Sequence, residues 1–489
     1  MAIDVTARAR VVGIDTKFKN LSKGATFNLP QRIALVGQGN SASVYSTTKR
    51  QVTSAFDVGT LYGFGSPLHL AAKELFPVNG DGVGTIPVTV YPLVDDASGV
   101  AASGDITITA SQTVSASYKV KVNNIESEEF VIASGDAEPA IRAAMISAIN
   151  AVLDMPVIAS DGTTKVDLDS KWEGTSANDL YVEVVSTTET GIATFAYTQP
   201  TGGLVNPDVD DALNQIGDVW ETLVINCMDV ADTTSLGKYQ TFGDGRWGQL
   251  TRKPLVVFTG NLNTTVSNAI AVPDARKTDK VNAQIVAPGS KNLPFVVAAR
   301  GVARIAVLAN NNPATDYGRQ ELTGITPGLD SEQWDYTEQD TALKGGSSTG
   351  KVVDGVLTLA DTITFYHPDG DPNPAYRYVV DIIKLMNVIY NLDLEFTKAE
   401  WDGAPLIPDN QVTTNPLAKQ PKMAVAAIAA ILDNLGLDAI ISDPKTAKAN
   451  TSASIDSQNP KRLNVETTVQ LSGNTNIISV DLNFGFFFG

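Results

Sequence analysis

The sequence predicts a mixed α/β protein of several domains, with an inserted β-rich domain and an extended strand arm at each terminus. Its 489 residues correspond to about three domains of roughly 150 residues. The 43% hydrophobic content is sufficient for sizeable cores. Short apolar runs alternate with helical patterns over much of the chain, and both ends show the period of a strand.

The composition excludes several classes of function. The chain has 36 Lys and Arg against 54 Asp and Glu, a net charge of -18, which argues against binding nucleic acid through its phosphates. Cys227 is the single cysteine, so an intramolecular disulfide and a Cys-rich zinc site are excluded. His69 and His367 are the only histidines and leave little material for acid–base or metal chemistry. We therefore expect a protein that is not an enzyme and that has no cofactor and no metal.

The acidic charge is concentrated in the middle of the chain. Nine basic and five acidic residues give 1–94 a charge of +4, whereas five basic and sixteen acidic residues give 95–199 a charge of -11. Residues 200–402 carry 16 basic and 26 acidic residues, a charge of -10, and 403–489 carry six and seven, a charge of -1. The N-terminus has charged residues where a signal peptide is apolar, so synthesis in a cytoplasm without membrane insertion is expected.

The N-terminal half begins with an arm and an α/β segment. Residues 1–25 are predicted to be an extended arm, since Val5, Ala7, Ala9 and Val11 alternate with other residues. From residue 26 to 94, apolar runs at 33–36 and 88–91 flank a helical pattern at 66–76, which predicts a parallel βαβ unit.

Residues 95–200 are predicted to form the inserted domain. The composition changes there to Ser, Thr, Ala, Gly and Asp with short alternating runs. One amphipathic helix is predicted at 138–153, with strands at 106–108, 118–122, 130–132, 157–158 and 181–185.

The α/β pattern resumes at 201–374, which joins 26–94 in one discontinuous core domain. Buried strands are predicted at 223–225, 255–258 and 285–287, a helix at 296–308 and a hairpin at 352–365 that turns at Asp354-Gly355. A C-terminal α/β domain follows at 375–474, with helices at 375–391 and 423–435 and an alternating strand at 463–471.

Residues 475–489 are predicted to be a second strand arm. One face carries the inter-subunit candidates Val480, Leu482, Phe484, Phe486 and Phe488. Each phenylalanine contributes about 1.5 to 3 kcal/mol when it is buried, so this face requires a partner surface. Either the arm completes the sheet of a neighbouring subunit, or the two termini pair with each other inside one subunit.

Three local motifs suggest ligands but lack the necessary context. Residues 345–351 match the P-loop pattern, but Val352 replaces the magnesium-binding hydroxyl, and a flexible loop is predicted. Residues 37–42 match a dinucleotide fingerprint with Asp57 as a possible ribose ligand, but no helical pattern follows. Residues 369–373 resemble an EF-hand, but Pro374 replaces its glycine.

Cys227 lies in an apolar run and is predicted to be a buried thiol.

Five segments resemble the contractile-tail sheath proteins of bacteriophages, in the Mu-like branch related to R-type pyocin and type VI secretion sheaths. They are the strand and loop at 32–39, Y-G-F-G-S-P-L at 62–68, the stretch 312–325 with L-T-G-I, the hairpin 352–366 ending in I-T-F-Y, and Tyr376-Arg377. Their order along the chain is stronger evidence than any one of them.

The resemblance implies a structural subunit of a phage tail, assembled in the bacterial host cytoplasm. Subunits would polymerise as stacked hexameric rings around the tail tube, exchange strands through both arms, and contract to drive the tube through the host envelope. The implied partners are other copies of the chain, the tail tube protein, and baseplate and tail terminator proteins. The insert would face outward and the C-terminal domain would face the tube.

Two other classes remain open at this point. A non-contractile virion protein, of a tail tube or a capsid, would also be acidic and lack an active site. A cytoplasmic nucleotide-binding α/β enzyme would use the loop at residue 37.

Overall fold

A computed structural model describes residues 27–110, 113–189, 191–372 and 374–486. Within these ranges the chain divides into a larger unit, residues 28–389 and 473–486, and a smaller unit, residue 27 with 390–472. The predicted N-terminal arm, with Val5, Ala7, Ala9 and Val11, lies outside the described residues, and so does Phe488. The five predicted domain boundaries remain a prediction.

The predicted βαβ unit is confirmed at the start of the larger unit. Its elements are β1 (Ile33–Gln38), β2 (Arg50–Val52), α1 (Ala55–Tyr62), α2 (Pro67–Leu75) and β3 (Val88–Leu93). Strands β1 and β3 are parallel, with Ile33 opposite Val88. Helix α2 begins where expected because the Ser66 side chain accepts a hydrogen bond from the His69 amide and Pro67 occupies the first turn. Helix α1, which is short and contains Gly59, was not predicted.

The segment predicted as an insertion folds into two four-stranded antiparallel sheets and one helix. Its elements are β4 (Ala101–Ala110), β5 (Ala116–Val122), β6 (Ile125–Glu126), β7 (Phe130–Ile132), α3 (Glu138–Asn150), β8 (Val157–Asp161), β9 (Val166–Glu173), β10 (Val182–Ser186) and β11 (Thr194–Thr201). One sheet has the order β10-β5-β6 with β7 also on β5, and the other has the order β11-β4-β9-β8. Strands β9 and β11 were missed by the sequence analysis.

The rest of the larger unit completes a six-stranded sheet. The elements are α4 (Asp210–Ile216), β12 (Leu223–Asn226), α5 (Thr233–Arg246), β13 (Val256–Asn261), α6 (Val266–Asp274), β14 (Asn282–Val286), α7 (Pro294–Asn311), α8 (Tyr336–Lys344), β15 (Thr349–Val353), β16 (Val356–Asp361) and α9 (Val379–Phe396), the last of which continues past the unit boundary. The sheet order is β14-β13-β12-β1-β3-β2, with β2 antiparallel at one edge. The five parallel strands are buried on both faces, which explains their uninterrupted apolar runs. The predicted α/β class is thereby confirmed.

Two predictions in this part of the chain need adjustment. The residues Ser347, Ser348 and Thr349 are almost fully buried, so the flexible loop predicted at 345–351 is wrong. Helix α9 begins at Val379 and not at residue 375, because the Arg377 carbonyl accepts a 2.8 Å hydrogen bond from the Thr364 amide and holds the preceding residues extended. The predicted hairpin turn is confirmed at Asp354-Gly355, where both residues have positive φ.

The smaller unit consists of one long helix and short paired strands. Its elements are α10 (Pro421–Leu437), β17 (Ile441–Ser442), α11 (Pro444–Ala449), β18 (Ser452–Ile455), β19 (Leu463–Glu466) and β20 (Gln470–Leu471). Strand β18 pairs with β19, and β17 pairs with β20. The single strand predicted at 463–471 is therefore two strands, each with a different partner.

Residues 472–486 contain no strand in the single chain. The predicted terminal strand is thus not formed by pairing with any described part of the same subunit. No helix within the described ranges has the length and apolarity that crossing a bilayer requires.

Candidate inter-subunit arm

Residues 477–486, here called the arm, expose nearly all of their apolar side chains. The exposed fractions are 79% for Val480, 81% for Leu482, 84% for Phe484 and 81% for Phe486. These four candidates alternate with Asp481, Asn483 and Gly485. In an extended conformation the four apolar side chains would share one face. Monomeric proteins rarely expose a continuous apolar stripe of this kind, and such stripes often mark a surface that binds another chain. The arm is therefore a candidate interface with another subunit.

The residues just before the arm are held firmly to the larger unit. The Asn474 side chain accepts a 2.5 Å hydrogen bond from Lys384 and donates a 2.9 Å bond to the Ala314 carbonyl. The Asn476 side chain donates a 3.4 Å bond to Asp361. We call Asn474 and Asn476 the arm root. The sequence analysis missed the root, because isolated asparagines after a glycine are also typical of a simple turn.

The β18–β19 hairpin is a candidate acceptor for such an arm. Each strand pairs only with the other within the described part of the chain. Two strands alone are marginally stable in water, and unpaired edge amides and carbonyls are a template for a further strand. The residues of both strands are exposed or half-buried, so neither strand is enclosed by the described residues.

The loop at residue 37 is already filled by protein. The Gly39 amide donates a 3.1 Å hydrogen bond to the Tyr45 hydroxyl, and a Cβ on Gly39 would lie 2.4 Å from the Tyr45 ring. The chain continues from there through turns and bends to β2 at Arg50, without opening a helix. The tyrosine therefore takes the place that a phosphate would need, and the amide is not free to bind one.

The other two motifs are also used internally. The Ser347 hydroxyl accepts a 2.5 Å bond from Gln284, and the Ser348 hydroxyl bonds to both the carbonyl and the amide of Ile363. In the EF-hand-like segment, Asp369 forms a 2.8 Å ion pair with Lys277. These hydroxyls and carboxylates stabilise the fold, and they are not arranged around a vacant ligand position.

A cleft of about 610 Å³ has an acidic lining without a nucleophile–base pair. It includes Asp208, Asp229, Asp232, Ser235 and Lys238. Lys238 is paired with Asp208 at 2.5 Å, and the Ser235 hydroxyl donates to Asp232 at 2.7 Å. Activation of a serine requires a neighbouring base such as histidine, and both histidines of the chain lie elsewhere. The described residues also contain no group of three or more His, Cys, Asp or Glu side chains placed to hold a metal ion.

The predicted buried thiol is confirmed. Cys227 follows β12 and has no exposed surface. Burial raises the pKa of its thiol far above the ordinary value, so the reactive thiolate is suppressed at neutral pH.

Along most of its length the chain is similar to a phage tail sheath protein. That relative is the Mu-like prophage FluMu tail sheath protein of Haemophilus influenzae, which is 24% identical over 467 residues, 92% of this chain and 90% of the relative. No family model matches the chain. The resemblance to Mu-like sheath proteins that the motif order indicated is thereby confirmed.

Solved sheath structures also align with nearly the whole chain. A tail sheath protein of Listeria innocua aligns at 14% identity with a TM-score of 0.48, covering 92% of this chain and 94% of that one. One from Desulfitobacterium hafniense aligns at 11% identity and a TM-score of 0.48, covering 95% and 96%. The helical sheath of the anti-feeding prophage in its contracted state aligns at 10% identity and a TM-score of 0.46, covering 97% and 99%.

Proposed function

We propose that this chain is the subunit of a phage contractile tail sheath. It polymerises as stacked hexameric rings around the tail tube and contracts to drive the tube through the host cell envelope. It is a structural protein, not an enzyme, and acts in the virion after assembly in the host cytoplasm. The observation that carries the proposal is the exposed apolar arm at the C-terminus of a chain similar to a tail sheath protein.

The arm of one copy pairs with the β18–β19 hairpin of a neighbouring copy. Main-chain hydrogen bonds supply the connection, and the side chains at 480, 482, 484 and 486 supply the apolar contact. Burying four such side chains contributes about 6 to 12 kcal/mol before the entropy of ordering the arm is subtracted. The N-terminal segment 1–25 contributes a second strand in the same way.

The distribution of charge supports an orientation for the subunit. The inserted domain, 95–200, carries much of the negative charge and faces outward, where it keeps the polymer soluble. The C-terminal domain, 375–474, faces the tube. The remaining partners are the tail tube protein and the baseplate and tail terminator proteins, which meet the ends and the lumen of the stack.

Contraction requires no nucleotide in this account. The energy resides in the difference between two packings of the same subunits and is released when the lattice is triggered. Strand pairing between neighbours keeps the subunits connected while the interfaces between their domains change. The occupied loop at Gly39 agrees with a mechanism that does not use ATP.

The test removes residues 480–489 from the full chain. The described residues of this segment are exposed and make no hydrogen bond to other described residues, so the truncated subunit should retain its melting temperature. We expect it to form no sheath-like tubes under electron microscopy. Tubes that assemble and contract normally without these residues would refute the arm mechanism.

Two further measurements separate the remaining classes. A tail tube or capsid protein would form one assembly with no second helical state, whereas a sheath shows an extended and a contracted lattice. A nucleotide-binding enzyme would release or absorb heat when ATP or NAD is titrated into the full chain, and we expect neither.

A further inference from the structure

We infer that Lys384 and Asn474 are the fixed point from which the arm leaves the subunit, and that they act as positioning residues for the strand exchange. The role of these residues in assembly rests on the proposed function, whereas their role as an anchor within the subunit does not. The partner that receives the positioned arm is a second copy of this chain.

The anchor is built around a buried charge. Lys384 is fully buried on α9, and its ammonium lies 3.1 Å from an Asp381 oxygen and 2.5 Å from the Asn474 side-chain oxygen. A buried ammonium is costly unless its donors are satisfied, so the lysine strongly favours a conformation in which Asn474 stays in place.

The root is tied to three separate parts of the larger unit. Asn474 contacts α9 through Lys384 and the loop after α7 through the Ala314 carbonyl. Asn476 contacts the end of β16 through Asp361. A pulling force on the arm is therefore borne by several elements of the larger unit. Because the root is bonded to more than one of them, the direction in which the arm leaves the subunit is fixed.

The anchor also fixes the origin of the segment available for exchange. In the described part of the chain, residues 477–486 follow the root, and fully extended these residues span at most about 35 Å. A fixed origin limits where these residues can pair and lowers the entropy lost on pairing, which is the general effect of preorganisation on affinity. Without the anchor, residues 473–476 would lengthen the segment and widen the choice of partners.

The anchor is tested by distance measurements between two spin labels on the full chain. Because Cys227 is fully buried, labels attach only at introduced cysteines, here Ile477→Cys and Val353→Cys, both of which are exposed positions of the larger unit. Ile477 lies off the even-numbered apolar face of the arm. The parent should give a narrow distance distribution by pulsed electron paramagnetic resonance.

Asn474→Ala removes the acceptor and should broaden that distribution at least twofold. Asn474→Asp offers a carboxylate to Lys384 but loses the amide donor to the Ala314 carbonyl, so it should restore only part of the narrow component. Asn483→Ala, within the arm but outside the root, should leave the distribution unchanged. Lys384→Met keeps much of the shape of the buried side chain but takes the ammonium away from Asp381 and from the Asn474 oxygen. It should broaden the distribution and also lower the melting temperature, because removing one partner of a buried pair is destabilising.

The consequence for assembly is measured separately. The hydrogen bond to a charged group that Asn474→Ala removes corresponds to about tenfold to a hundredfold in an equilibrium constant, so the critical concentration for tube formation should rise by up to that factor. A broad distribution in the parent, or an unchanged one in Asn474→Ala, would overturn the anchor. A clear broadening with an unchanged critical concentration would overturn its role in positioning the arm. Failure of the parent itself to assemble would refute the proposed function and leave the distance test of the anchor valid.

Discussion

The side chain of Phe484 provides the most informative single perturbation of the arm. It is 84% exposed in the subunit, so Phe484→Ser removes no packing from the folded monomer. If this ring is buried against a neighbour, its loss removes about 1.5 to 3 kcal/mol per arm contact. Since about 1.4 kcal/mol corresponds to a factor of ten, the critical concentration for assembly should rise about tenfold to 150-fold.

The assay is sedimentation of tubes over a series of protein concentrations, together with the melting temperature of the monomer. The matched control is Asn483→Ser, one position earlier, on the opposite face of an extended arm. We expect Phe484→Ser to raise the critical concentration and Asn483→Ser to leave it within about twofold, which is under 0.5 kcal/mol. Equal effects of the two substitutions would refute the one-sided strand, and a lower melting temperature for Phe484→Ser would show that the ring is packed within its own subunit.

Three predictions concern the fold itself. Gly260→Ala should lower the free energy of unfolding by about 3 kcal/mol or more, because its Cβ would lie 1.7 Å from the Pro294 carbonyl oxygen. Gly237→Ala, in α5 with no atom within 4 Å of the new Cβ, should raise it by roughly 0.5 to 1 kcal/mol; urea unfolding of both variants checks the pair. Burial raises the pKa of Glu74 from 4.5 to about 7, so between these pH values the folded state holds a proton that the unfolded state has released. The free energy of unfolding should therefore fall as the pH rises from 4.5 to 7. Glu74→Gln should make that fall smaller, and an unchanged pH profile of stability would contradict the burial of Glu74. Cys227 should react with a thiol reagent only as fast as the protein unfolds, and rapid labelling of the native chain would contradict its burial.

The parallel strands and the long helices could be predicted from the sequence. Strands such as β13 are buried on both faces and appear as continuous apolar runs, and α7 carries an apolar pattern over several turns. Strand β11 was missed because most of its residues are exposed, and its alternation is limited to Phe195 and Tyr197, which is too short to mark a strand. The burial of Ser347 could not be predicted either, since its partner Gln284 is 63 residues away in the sequence.

The candidate site was predicted in part. The alternation at 480–486 identified the apolar face, because strand periodicity is visible in the sequence whether or not a partner is present. The root was not identified, because the contact between Lys384 and Asn474 joins residues 90 positions apart. A lysine in an amphipathic helix is ordinarily solvent-exposed, and only the fold reveals that this one is buried.

Electron cryo-microscopy of tubes assembled from the purified chain shows directly whether the arm pairs with a neighbouring subunit. We expect a helical lattice in which residues 477–486 form a strand beside the β18–β19 hairpin of a neighbouring copy, with Val480, Leu482, Phe484 and Phe486 buried on one side. A map in which these residues pair within their own subunit, or remain exposed in a tube that nevertheless contracts, would contradict it.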